Sequence, residues 1–149
     1  MSLTRTKYAF TMLAVLAALT LLLAGCEPTG PEFVAEGRSY TLNTALELSD
    51  TIDAGGLAEQ PTSKANELRH EALVALRKQG DMAENAAKVI TATFPAETSG
   101  VPYYVERALY HSEPALIIVE AIGPQGGTLS DRRVWVLSLD GEVLLSGTR

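Results

Sequence analysis

The chain holds one cysteine in 149 residues, two histidines, one tryptophan and only 6% aromatic residues. A lone cysteine forms no internal disulfide, dithiol redox pair or cysteine zinc site, so these chemistries are excluded together. The two histidines, His70 and His111, lie too far apart for the i, i+4 pair that grips zinc on a helix, and no metal is expected. Positive charge is also scarce, with 12 Lys and Arg against 18 Asp and Glu, a net charge of −6. That sign repels phosphodiester backbones and anionic headgroups, so no nucleic acid partner is expected. There is no G-x-S-x-G elbow, and Gly123-Pro124-Gln125-Gly126-Gly127-Thr128 lacks the Gly-Lys-Ser/Thr ending that grips phosphate. The expectation is no catalytic constellation, no cofactor and no enzyme.

What the sequence does have begins at its amino terminus. Arg5 and Lys7 precede an uncharged, Leu- and Ala-rich run from Tyr8 to Leu23. The run is short for a bilayer crossing, which takes ~20 apolar residues, and suits the hydrophobic region of an export signal. It ends in Leu23-Ala24-Gly25-Cys26. This resembles the lipobox of bacterial lipoprotein precursors, where an aliphatic and two small residues precede the modified cysteine. The resemblance implies lipid attachment at Cys26, cleavage between Gly25 and Cys26, and a membrane-anchored protein on the extracytoplasmic side of the cell envelope. Loss of residues 1–25, which carry Arg5 and Lys7 but no acid, leaves the remainder two units more negative.

The division expected is a signal peptide over 1–25, a lipidated cysteine and partly ordered tether over 26–60, and a small α+β domain over 61–149. Prolines and glycines with scattered acids suggest an extended, solvated tether through residues 27–39. A short helix or turn is expected near 43–52. Pro61-Thr62-Ser63 then reads as a helix start with Ser63 as cap, and Ala65, Leu68, Ala72, Ala75 and Leu76 recur at helical spacing. Gly80 ends that helix, and Asp81 with Glu84 reads as a capping box for a second, stopped by Pro95. From Tyr103 the period falls to two. Strands are expected over 103–110, 115–122, 132–139 and 142–146, with a two-residue primed turn at Asp140-Gly141. The fold class is therefore α+β: two helices packed on one face of a four-stranded antiparallel meander, after the signal peptide and flexible tether.

The ending, Trp135-Val136-Leu137-Ser138-Leu139-Asp140-Gly141-Glu142-Val143-Leu144, resembles the close of PepSY-type domains, small α+β modules of bacterial envelope proteins. That resemblance implies a peptide- or small-molecule-binding regulator of an envelope hydrolase. From the residues themselves, the leading expectation is a non-enzymatic module that binds another envelope protein through its sheet surface or edge.

Single candidates carry little chemistry. His111-Ser112-Glu113 sits on a turn whose neighbouring side chains diverge, unlike a triad. His70, Glu67 and Glu71 read as a solvated helix face. The 123–131 loop is long enough to close over a ligand. Tyr103, Tyr104, Tyr110 and Trp135 are the candidate partner surface, adjacent tyrosines on a strand pointing to opposite faces. A deep pocket lined by Glu106, Arg107 or His111 would favour a ligand, and a flat aromatic face a partner.

Overall fold

In a computed structural model, which describes residues 30–35, 37–94 and 100–148, the four segments expected as strands join two shorter ones in one six-stranded sheet. In chain order the elements are β1 (Glu32–Val34), β2 (Ser39–Tyr40), α1 (Leu42–Thr51), α2 (Ala65–Arg77), α3 (Asp81–Thr93), β3 (Val101–Tyr110), β4 (Glu113–Ile122), β5 (Asp131–Ser138) and β6 (Val143–Thr148). The signal peptide, Gly25, Cys26 and Pro95 lie outside the described residues.

The expected meander is present: β3 to β6 pair antiparallel in sequence order. Two strands are added to it. β1 and β2 both pair parallel with β3, Glu32 in register with Tyr104 and Tyr40 with Tyr110. Much of the expected tether is thus clipped along the sheet edge. Gly37 crosses there so closely that a Cβ would meet the Arg107 carbonyl and Ala108 backbone.

The helix count also differs, because α1 is a full ten-residue helix on the face opposite α3. Its Ala45 and Leu48 pack with Tyr104, Ala108, Ile117, Val119, Val134 and Val136. On the other face, Ala83, Ala86, Ala87 and Ile90 of α3 meet Val105, Leu116, Ile118 and Leu137. Ile90 and Leu76, both fully buried, each contribute about 1.5–3 kcal/mol by leaving water. α2 serves both clusters, giving Ala65, Leu68 and Ala72 to the first and Leu73 and Leu76 to the second.

The helix caps depart from expectation. A 3₁₀ turn, Thr62–Lys64, precedes α2, Lys64 takes the cap position, and no side chain caps it, so Ser63 is not the cap. Gly80, at φ 111°, occupies the α3 cap. Asp81 and Glu84 therefore lie inside the first turn, favourable for the helix dipole but not a capping box. Glu84 instead pairs with Lys88 at 2.8 Å. A capping box does form on α1, where the Thr41 amide donates to Thr44 Oγ1 at 2.9 Å.

The hairpins exchange roles. Asp140-Gly141 is not a two-residue primed turn: the Gly141 amide donates to the Ser138 carbonyl, the Ser138 amide to the Glu142 carbonyl, and only Gly141 has positive φ. This is a three-residue loop with a glycine bulge. The primed two-residue turn is His111-Ser112, with φ of 49° and 72° between the paired Tyr110 and Glu113.

Candidate functional site

The four aromatics of the expected partner surface do not form one. A register shift between Pro102 and Tyr104 turns Tyr103 and Tyr104 to the same face, and both are buried in the core beneath α1. Adjacent residues on a regular strand would have diverged; the bulge overrides that. Trp135 is half-buried on the opposite face, its ring 4.5 Å from that of Phe94. Tyr110, also half-buried, stacks edge-on against His111. The Tyr103 hydroxyl is buried without a hydrogen-bond partner among the described residues. Burial raises its pKa, with Arg132 opposing.

The polar chemistry lies instead in two glutamates, one buried under each face. Glu106 faces the α1 side. Its Oε2 accepts from Tyr40 and Tyr104 hydroxyls, each at 2.7 Å, and from Arg38 Nη2 at 3.2 Å. The Arg38 amide donates to Oε1 at 3.1 Å. Burial alone would raise this carboxyl's pKa, but the donated hydrogen bonds outweigh it and hold the value low. Burial and the same carboxylate push Tyr104 up to about 12 and Tyr40 higher still.

Glu120 faces the α2–α3 side. Its Oε1 accepts from Arg69 at 2.7 Å, and Oε2 accepts from Arg133 at 2.8 Å and from Trp135 Nε1 at 2.9 Å. Arg69 is itself buried and also donates to the Gly100 carbonyl. Both carboxylates are saturated with donors and enclosed, so neither is a free general base.

The remaining candidates are solvated: Glu67, His70 and Glu71 are exposed together on α2, and His111 is exposed apart from them in the β3–β4 turn. Among the described residues no three His, Cys, Asp or Glu side chains converge as a metal site, and no helix is long and apolar enough to cross a membrane. The 123–131 loop is no free lid. The Gly127 carbonyl accepts from the Thr62 amide, the Leu129 amide donates to the Gln60 carbonyl, and Leu129 is buried.

Two surface features stand out. β6 pairs with β5 on one side, and among the described strands none pairs with its other side. Secondly, the large exposed apolar residues, Leu42, Met82, Leu109, Leu139, Val143 and Leu144, are 38–47% exposed and share one end of the sheet. Register places them there: Leu109 ends β3, Leu139 follows β5, Val143 opens β6, and Leu42 follows Tyr40, which pairs with Tyr110. Met82 touches Arg107. Gly30 enters at the opposite end, beside Val101 and a cleft of about 550 Å³. At about 3.3 Å per residue, the length of β3 separates the two poles by ~30 Å. A second groove, about 410 Å³, lies at the apolar pole under α3 and includes Arg107 in its lining. Glu106 and His111 do not line it.

A binding edge is expected from the sequence, but which strand forms it, and where the two poles lie, depend on strand order. A charged residue inside an apolar run, Glu120 within Ala115–Ile122, was the one available sign of a buried polar network. No protein-family model matches the chain, and neither the curated proteins nor the solved structures include a match.

Proposed function

We propose that this chain is a lipid-anchored, non-enzymatic binding module of the bacterial cell envelope that takes an extended segment of another envelope protein along β6. The free edge carries this reading. β6, Val143 to Thr148, contains no Lys, Arg, Asp, Glu or Pro, the residues with which exposed edges are usually guarded. The other edge of the meander is covered by β1 and β2. Unpaired backbone groups on β6 would supply main-chain hydrogen bonds, and Val143 and Leu144 the apolar contacts. Anchoring rests on the lipobox-like Leu23-Ala24-Gly25-Cys26 and on the absence of any other cysteine.

The test is photo-cross-linking in intact cells from positions 146 and 148, both exposed on β6, with position 71 as control. One dominant adduct from the β6 positions, lost in Leu144→Lys, is expected. Equal adducts from position 71, or none from β6, would rule out the edge. A second reading, a small-ligand-binding regulator of an envelope hydrolase, draws on the C-terminal resemblance and on the groove beside Arg107.

A further inference from the structure

We propose that the groove beneath α3 is a binding site for a single-chain anionic amphiphile, an acyl chain ending in a carboxylate. Met82, Ala86, Val89, Leu116 and Leu139 form its apolar walls. Ala86 and Leu116 are buried and make the floor, whereas Met82 and Leu139 are exposed at the mouth. Its volume of about 410 Å³ falls within the ~300–1,000 Å³ of small-ligand pockets.

The head group follows from charge. Arg107 and Lys88 are the charged residues lining this groove, and both are cations on a chain of net charge −6. Lys88 is already paired with Glu84 at 2.8 Å. The Arg107 guanidinium is not so supplied: among the described residues its hydrogen-bond contact is the Met82 sulfur at 3.5 Å. By contrast Arg38, Arg69 and Arg133 each hold a carboxylate. An exposed guanidinium offered only a thioether, at the lip of an apolar groove, is suited to a carboxylate that arrives with an apolar tail.

The backbone argues for an acyl chain rather than a peptide here. The floor comes from inside α3 and from β3 and β4: Ala86 and Val89 lie within the helix and Arg107 pairs with Leu116, so their amides and carbonyls are spent within the fold, whereas Met82 in the first turn of α3 and Leu139 after β5 stand at the mouth. A peptide main chain laid on that floor would lose its water and find no free backbone partner there, whereas a hydrocarbon chain needs none. Main-chain recognition belongs to β6, so this site is independent of the edge.

The experiment uses the full chain carried in phosphatidylcholine nanodiscs and labelled at methionine methyls. Met82 is the one methionine among the described residues, and its methyl reports the groove mouth. Dodecanoate, dodecanol and dodecyltrimethylammonium are titrated in turn. A saturable shift of the Met82 methyl with dodecanoate is expected, with dodecanol weaker and the cation without effect. Arg107→Gln, at an exposed position, should weaken dodecanoate about tenfold, the loss of one charge-assisted hydrogen bond. Leu139→Trp should block the groove and remove the shift. Equal responses to all three head groups, no shift with dodecanoate, or unchanged affinity in Arg107→Gln would overturn the proposal.

Discussion

Replacing Arg69 with Met would leave the Glu120 carboxylate buried with Arg133 and Trp135 as its remaining donors. Removing one partner of a buried ion pair costs about 3–5 kcal/mol, because the other charge stays desolvated. A loss near the lower end is expected for Arg69→Met in urea unfolding, since Glu120 keeps two donors. The double variant Arg69→Met/Glu120→Leu should recover part of it. Glu106 predicts a pH dependence. Its folded pKa lies below the usual 4.5, so its contribution is fully present above that value and is lost as pH falls through the lower folded value. Tyr104 acts at the other limit: raised from 10.0 to about 12, it stabilises below pH 10 and loses that contribution as pH rises toward 12. Thermal unfolding should therefore show an acid limb that flattens in Glu106→Gln and an alkaline limb that weakens in Tyr104→Phe.

At the scale of elements, the β3–β4 turn holds two non-glycine residues in the left-handed region, which costs roughly 1–2 kcal/mol per residue. Ser112→Gly should raise stability by about 1 kcal/mol in chemical denaturation, somewhat offset by the greater freedom of glycine in the unfolded chain. That turn also shows where sequence reading stops. Asp140-Gly141 has the favoured turn chemistry, yet the chain uses it in a three-residue bulged loop and places His111-Ser112 in the tight turn. Strand register, fixed by the buried faces of β3 and β4, decided the matter against local preference. The α2 and α3 helices were legible because their apolar periods run for two turns or more, and the meander strands because each carries an alternation or, over Ala115–Ile122, a nearly continuous apolar run rich in β-branched residues. β1 and β2, of three and two residues, are too short to carry a period, and their pairing with β3 is wholly non-local. The same distance hid the glutamate clusters, since Tyr40 and Glu106 stand 66 residues apart in sequence. The bulge at Pro102 had no sequence mark beyond the proline itself.

On the scale of the whole molecule, the chain enters at one pole and exposes its apolar side chains at the other. If lipid on Cys26 holds the protein, the span from Cys26 to Gly30 allows at most about 14 Å at ~3.6 Å per residue. The Gly30 pole then sits close to the bilayer and the apolar pole faces away from it. Cys26→Ala should move the protein out of the membrane fraction on cell fractionation; processed protein that stays with the membrane would refute the lipid anchor.

The parallel seating of β1 and β2 on β3 has a mechanical consequence. A pull from the amino-terminal side of Gly30 reaches the domain through this strap, where five register pairs and the Arg38–Tyr40–Glu106 cluster bear the load before the meander does. Stretched from residue 26 in an optical trap, the protein should yield first by peeling residues 30–40, releasing roughly 36 Å of contour at 3.3–3.6 Å per residue, with the main rupture later. Glu106→Gln should lower the force of the first event and leave the second nearly unchanged. If lipid on Cys26 anchors the chain, the strap would then act as a mechanical fuse between the bilayer and the sheet.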